Sequence, residues 1–199
     1  STTFQPISLR EHFRSVPEII GYSNKTSYDN QILPLRDTSS SILKPAIVEY
    51  KVDGKRDEKN KVNKVEAETI VSLIEACLDT EEYKNSTFGV ISLLGDEQAN
   101  LIQNLIVKRI SAVDIEKHTI LCGNSASFQG DERDVMFISL VDSSEENKAL
   151  RLVGEGIDGA TRKRYNVAIS RAKDQLWVVH SIDKSSLKEG DLRKELFEY

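Results

Sequence analysis

Val135-Met136-Phe137-Ile138-Ser139-Leu140-Val141 is an almost uninterrupted apolar run in this 199-residue sequence, and it predicts a strand buried on both faces. Similar runs occur at Ile47 to Tyr50, Phe88 to Leu94, Thr119 to Cys122 and Leu176 to Val179. Segments with apolar residues at helical spacing separate them, at 62–78, 96–110 and 160–172. This alternation predicts one α/β domain, a mostly parallel sheet with helices on both faces.

Three further segments have recognisable patterns. Pro17 starts a short helix that Asn24 closes. Charges of both signs between Lys51 and Lys61 predict a solvated loop. The sequence from Lys184 to Tyr199 is strongly charged. We therefore expect the domain to occupy residues 1–183, followed by a peripheral, helical tail at 184–199.

Composition excludes several classes of protein. The 27 basic and 32 acidic residues give a net charge of -5, which argues against general coating of nucleic acid but permits a local basic groove. Cys77 and Cys122 are too few for a disulfide scaffold. No apolar run approaches the roughly 20 residues of a membrane helix, and the first ten residues lack a signal pattern. We expect a cytoplasmic monomer with no membrane contact.

Several familiar motifs are incomplete. Gly154 to Gly159 matches G-x-G-x-x-G, but no convincing strand leads into it, and its acidic residues would repel a pyrophosphate. Gly54-Lys55 lacks the first glycine and the hydroxyl residue of a phosphate loop. Asp142 follows a strand as a metal-binding acid would, but without a phosphate loop it indicates a strand-end cap. The histidines lack metal-ligand spacing, so we expect no metal site; they are His12, His118 and His180.

Two polar clusters remain. Five basic residues without an intervening acid lie between Gly159 and Asp174, at positions 162, 163, 164, 171 and 173. They form either a solvated basic face or, where the helix meets a buried strand, a site at which an arginine fork meets a phosphate. The second cluster, Ser127 to Asp134, contains Gly130 in a polar turn. It is either an ordinary turn or a group of donors and acceptors for a sugar, a base or a neighbouring domain.

In order along the chain, these clusters resemble the motifs of superfamily I helicases of the Upf-like branch. Leu9 to Ile20 looks like the motif with an aromatic-arginine pair followed by proline. Ser127-Phe128-Gln129-Gly130-Asp131-Glu132-Arg133-Asp134 is similar to motif V, and Arg164-Tyr165-Asn166-Val167-Ala168-Ile169-Ser170-Arg171-Ala172-Lys173 is similar to motif VI. The match is to the second RecA-like domain. The departures are Leu94-Gly95, where the family has proline and an aromatic residue, and Ala126, where an acid often stands.

The resemblance implies roles for individual residues. ATP with Mg²⁺ would lie between two RecA-like domains, held mainly by the first, while Arg14 and Arg171 of the second reach the γ-phosphate. Glu132 would accept hydrogen bonds from the ribose, and Gln129 and Arg164 would couple the nucleotide to domain closure. The expected nucleotide-contacting set is Gln129, Gly130, Glu132 and Arg164, and the expected contacts to a single strand are Asn124, Ser125 and Ser127.

The sequence therefore predicts one half of a motor. Without a phosphate loop, the chain alone should not hydrolyse ATP. We expect it to be the C-terminal motor domain of an ATP-dependent DNA helicase or translocase, preceded by another RecA-like domain in the same polypeptide. Single-stranded DNA is the expected partner in preference to RNA. The alternative is a non-catalytic RecA-like module that binds nucleic acid or protein.

Overall fold

The computed structural model of the chain describes residues 11–12, 15–27, 33–34, 43–144 and 150–199. Its helices are α1 Pro17–Ser27, α2 Lys64–Leu78, α3 Asp96–Arg109, α4 Ala112–Lys117, α5 Ala160–Ser170 and α6 Leu192–Phe197. Its strands are β1 Glu11–His12, β2 Leu33–Pro34, β3 Ile47–Lys51, β4 Arg56–Asp57, β5 Val62–Asn63, β6 Phe88–Ser92, β7 Leu121–Gly123, β8 Arg133–Ser143 and β9 Ala172–Ser181.

One parallel sheet contains five of these strands, in the order β3-β9-β8-β6-β7. Successive residues of β8 point to opposite faces: Phe137 packs in the core formed with α2 and α3, and Ile138 in the core formed with α1 and α5. The apolar character of β8 follows from this burial on both sides. The predicted α/β fold, a mostly parallel sheet covered by helices on both faces, is confirmed.

The connections change face between β6 and β8. The chain leaves β6 for α3, which lies on one face of the sheet, and leaves β8 for α5, which lies on the other. Loops that diverge in this way leave a crevice at the carboxyl ends of the two strands, where open α/β sheets bind their ligands. Two cavities described below share residues of the β6–α3 turn.

Several boundaries differ from the sequence prediction. α5 ends at Ser170 and β9 begins at Ala172, so Arg171 is the one residue that joins the helix to the strand. The sequence predicted a helix through Ala172 and a strand only from Leu176. The sequence did not predict the first residues of β9 because they are polar. Pairing with β8, rather than an apolar run, makes them part of the strand.

The segment predicted as a solvated loop, Lys51 to Lys61, contains the first strand and the turn of a short hairpin. Arg56 of β4 pairs with Asn63 of β5. The backbone N–H of Arg56 donates to Ser143 Oγ at 2.9 Å, and its Nη1 donates to Asp142 Oδ1 at 3.0 Å. These contacts attach the segment to the end of β8, more than 80 residues later in the chain, which explains why local composition did not predict them.

The C-terminal tail corrects the sequence prediction of a peripheral segment. Part of it is helical, as expected, but Leu187, Leu192 and Leu196 are buried in the core formed with α1 and α5. Arg193 is 1% exposed and donates to both carboxylate oxygens of Asp191, to Asp142 Oδ2 and to the carbonyl of Arg151. The sequence did not predict this packing, because a charged segment is normally exposed. Arg193 is buried only because carboxylates far away in the sequence accept its hydrogen bonds.

A buried polar network lies at the carboxyl ends of β8 and β9. The Glu66 carboxylate is fully buried and accepts from Ser139 Oγ, Ser181 Oγ, Asn63 Nδ2 and the N–H of Val141. Val141 adopts φ 68, an unusual conformation for a β-branched residue, where the register of β8 with β9 shifts. The network holds this bulge, because Asn63 Nδ2 also donates to the Val141 carbonyl.

Glu66 should make the stability of the domain depend on pH. Burial is the largest influence and raises the pKa of Glu66 to about 7, despite the hydrogen bonds that it accepts. Between about pH 4.5 and 7 the unfolded chain loses this proton first, so the free energy of unfolding should fall as pH rises, by roughly 3 kcal/mol at most. Glu66→Gln should remove this component in urea unfolding at several pH values. Identical pH profiles for the two proteins would contradict the prediction.

Candidate nucleotide and strand interface

The two polar clusters of the sequence meet along α5. After β7 the chain forms a short turn at Ser125–Phe128 and then crosses to the start of β8. Ser125 Oγ donates to the Arg164 carbonyl at 3.2 Å, and the N–H of Arg133 donates to the Arg171 carbonyl at 3.0 Å. The loop at 124–132, called the crossing loop below, therefore lies beside α5, with contacts at Arg164 and at Arg171.

Arg171 is placed between α5 and the crossing loop. Its Nε donates to the Val167 carbonyl at 3.2 Å, and its Nη1 lies 3.4 and 3.3 Å from the carbonyls of Phe128 and Asp131. The Ser170 hydroxyl accepts from Nη2 at 3.5 Å. These bonds to carbonyl and hydroxyl oxygens are long compared with the 2.7–2.9 Å of a charge-assisted bond to an anion.

Arg133 fixes the shape of the crossing loop, a role that sequence reasoning missed. Its buried guanidinium donates to the carbonyls of Thr119 and Glu132 and to Asp131 Oδ1, at 2.8, 2.7 and 2.7 Å. It also lies over the Phe128 ring. Hydrogen bonding from Arg133 is the main reason that the pKa of Asp131 is below its usual value. The available signal was a basic residue at the first position of a strand buried on both faces.

The other loop residues predicted to contact nucleotide lie at the surface. Gly130 adopts φ 80 and is exposed, with nothing within 4 Å of the position that a Cβ would take. Gln129 is exposed, and Glu132 is half-buried. The backbone of the turn is therefore accessible at Gly130. The ion pair between Asp131 and the buried Arg133 fixes the conformation of the turn.

A cavity of about 520 Å³, the track cavity, opens between the β6–α3 turn, the crossing loop and α5. Asn124, Ser125, Gln129 and Arg164, from the sequence prediction, line it together with Lys163. Asn124 Nδ2 donates to Asp96 Oδ1 at 2.8 Å, and its Oδ1 accepts the N–H groups of Ala126 and Ser127. The structure thus brings four predicted residues to one cavity, two of them from each predicted group.

Two of the predicted strand contacts have defined internal partners. Ser125 is 8% exposed, and its hydroxyl is bonded to Arg164, so it positions α5 against the loop. Ser127 is exposed, and its hydroxyl donates to Asn124 Oδ1 at 3.3 Å. Ser125 also lines the track cavity, so its contact with a strand stays a prediction.

The basic cluster on α5 is less uniform than its sequence suggests. Arg162 pairs with Glu155 and Glu195, and Lys173 pairs with Asp134 at 2.9 Å. Lys163 and Arg164 are exposed, and Arg164 Nη2 donates to Thr161 Oγ1 at 3.2 Å. The positive charge that faces solvent is therefore concentrated beside the track cavity, and the reading of the whole cluster as one solvated face is wrong.

Arg14, the second predicted arginine of the site, lies outside the described residues. Its sequence neighbour Ser15 is buried, and the Ser15 hydroxyl lies 3.5 Å from the Ser170 carbonyl. The N–H of Val16 donates to the Lys173 carbonyl at 2.9 Å. The start of α1 is thus attached to both sides of Arg171, a contact between residues more than 150 positions apart.

Among the described residues, no group of three or more His, Cys, Asp or Glu side chains is arranged to hold a metal ion. No helix among the same residues is long and apolar enough to cross a membrane.

One known family matches most of the chain. Residues 2–183 match the model of the AAA_12 family, described as an AAA domain. The chain belongs to the AAA_12 family. AAA_12 is the C-terminal region of Upf1-like helicases, so the resemblance to the second domain of a superfamily I helicase is confirmed.

Similarity of this AAA_12 domain to individual proteins is more distant. Among solved structures, the C-terminal domain of a possible DNA helicase from Lactobacillus plantarum WCFS1 aligns at 13% identity with a TM-score of 0.47. The alignment covers 88% of this chain and 97% of that one. No curated protein matches the sequence.

Proposed function

We propose that this AAA_12 domain is the C-terminal motor domain of an ATP-dependent DNA helicase or translocase. The observation that carries the proposal is the position of Arg171, at the junction of α5 and β9, with its guanidinium on two carbonyls of the crossing loop. An arginine in this position can stabilise charge on the γ-phosphate as water attacks it. The triphosphate and Mg²⁺ would be held mainly by a preceding RecA-like domain, so the chain alone would not hydrolyse ATP.

Arg14 is proposed to act beside Arg171. The support is the place of Arg14 in the segment that resembles the family's aromatic-arginine motif, together with the attachment of the following residue, Ser15, to Ser170. Two arginines from distant parts of the sequence would then approach the same phosphate. Their charges would be used most effectively when the two domains close and exclude water.

The crossing loop is proposed to report the state of the nucleotide. Glu132 would accept hydrogen bonds from the ribose hydroxyls, and the exposed backbone at Gly130 would allow close approach. Gln129 lines the track cavity while its neighbours contact Arg171, so a movement of the loop would reach both sites. Arg164 is coupled to the same loop through Ser125.

Single-stranded DNA is proposed to run past the track cavity. Exposed Lys163 and Arg164 would bind its phosphates, and Asn124 and Ser127 lie on the loop that borders the same opening. Phosphate contacts of this kind position a strand without reading its sequence. A translocating protein needs this property.

Lys163→Ala should weaken binding of oligothymidylate to the chain several-fold and reduce the slope of log affinity against log salt by about 0.7, the value for one phosphate contact on a single strand. Fluorescence anisotropy across a salt series measures both quantities. Lys117→Ala, at an exposed position at the end of α4, is the matched control and should change neither. An unchanged salt slope for Lys163→Ala would remove this residue from the track.

The proposed function is tested by joining the chain to a first RecA-like domain that has a phosphate loop, as in a complete helicase. Steady-state ATP hydrolysis should increase when single-stranded DNA is added, and the increase should be larger than with RNA of the same sequence. The separate chain should not hydrolyse ATP. If the complete protein bound strands but never hydrolysed ATP, the non-catalytic module would be the correct reading.

A further inference from the structure

A second cavity, of about 580 Å³, adjoins the track cavity at the carboxyl ends of β6 and β8. The two share Leu93, Gly95 and Arg164 in their walls. The second cavity extends from there between the end of β8, the segment 150–156 and α5. It is called the arginine cavity here because four arginines line it: Arg56, Arg151, Arg164 and Arg193. Its volume lies in the range of sites that enclose a small organic ligand.

The walls of the arginine cavity are apolar in part. Leu93, Leu140 and Val153 line it, as do Leu94 and Leu152, whose side chains are 36% and 45% exposed. Surface leucines directed into a concave site indicate an occupant with apolar faces rather than a free phosphate or sulfate.

The charges of the cavity are not all compensated internally. Arg193 and Arg56 share the Asp142 carboxylate, at 2.9 and 3.0 Å, and Arg193 is further bonded to Asp191. Arg151 and Arg164 are exposed at the rim, where Glu58 is the other acidic residue of the lining. The rim is therefore positive and favours a ligand that carries negative charge beside its apolar part.

Arg56 reaches the cavity with the end of its side chain. Its Nη1 donates to Asp142 Oδ1, and the side chain is 30% exposed in the cavity wall. The guanidinium can therefore also donate to a carbonyl or ring nitrogen of a bound molecule, whereas its Nε is covered by the protein.

We propose that the arginine cavity accepts one unstacked nucleobase of the bound single strand, with Arg56 donating to the base and Arg164 holding the adjacent phosphate. Leucine side chains would pack on the faces of the base, and guanidinium planes are also surfaces on which bases stack. The inference rests on the proposed function and deepens it, because the cavity is continuous with the proposed track through Arg164. A base inside a duplex could not enter, so the site would select unpaired strands.

Abasic substitution tests the proposal without altering the protein. A short oligothymidylate is compared with strands in which one abasic nucleotide occupies each position in turn. Loss of the base at one position should weaken binding to the chain about tenfold, as expected for removal of one stacked base. Equal affinity for every strand would overturn the base pocket but leave the phosphate track intact, whereas no binding of any strand would overturn both.

Two variants connect that position to the cavity. At Gly154 an added Cβ would meet only Leu152 Cδ2, at 3.4 Å, so Gly154→Leu should fill the cavity without backbone strain. It should weaken binding of the intact strand about tenfold but leave the abasic strand unaffected. Arg56→Gln should reduce severalfold the ratio of affinities for the intact and the abasic strand, and it replaces Gly154→Leu if that variant unfolds in a thermal scan. The control Ala112→Leu, at an exposed position on α4, should leave this ratio of affinities unchanged. If Arg56→Gln weakened both strands equally, the cavity would not hold a base.

Discussion

Arg171→Ala is expected to lower strand-stimulated kcat for ATP hydrolysis in the complete two-domain protein by about a thousandfold or more, the range for removal of an arginine finger. The guanidinium would stabilise charge that develops in the transition state, so kcat should fall much more than KM rises. Arg171→Lys keeps the charge but loses the fork, and we expect it to recover only a small part of the activity.

The structural contacts of Arg171 require a control for folding. Its bonds to the crossing loop are long, so Arg171→Ala should change the unfolding midpoint only slightly. Arg109→Ala, which removes an exposed arginine paired with Glu75 on α2, should leave turnover unchanged. Full turnover in a correctly folded Arg171→Ala protein would exclude Arg171 from the phosphate site.

Arg193→Met is expected to destabilise the domain by about 3–5 kcal/mol, the usual effect of removing one partner of a buried ion pair. The variant leaves Asp191, 1% exposed, without its cation and takes one of two arginines from Asp142. Burial by itself would raise the pKa of Asp191, but the bonds from Arg193 and the backbone keep it below its usual value. In the variant this pKa should rise, and stability should decrease further as the pH increases.

Urea unfolding of both proteins at pH 7 measures the difference. Arg109→Met is the matched control, because an arginine paired at the surface contributes about 0–1 kcal/mol. A destabilisation by Arg193→Met no larger than that of the control would show that the C-terminal segment packs less firmly than the structure indicates.

Much of the sheet follows from the sequence because the physics is local. β6 at Phe88–Ser92 and the run Val135 to Val141 are buried on both faces, as apolar runs of this length between turn signals predict. α2 begins where Asn63 caps it, a signal that two or three residues carry. These elements have the same signature wherever the rest of the chain lies.

The features that were missed depend on partners distant in the sequence. Arg193 is buried because Asp142, 51 positions earlier, accepts from it, and Arg56 is fixed by the same carboxylate. Arg133 has no recognisable signal other than its place at the start of β8. One of its acceptors is the carbonyl of Thr119, which only the folded loop brings near. Charged residues are therefore where sequence reasoning is weakest, since their burial depends on pairing that composition does not record.

α5 joins two events of the proposed cycle. Arg171 follows its last turn, and Arg164 is seven residues earlier, roughly 10 Å along the axis. A helix of this length moves as a rigid body. If a phosphate displaced Arg171 at one end, Arg164 would move by a similar distance. The helix would then act as a rigid link between ATP hydrolysis and movement along DNA.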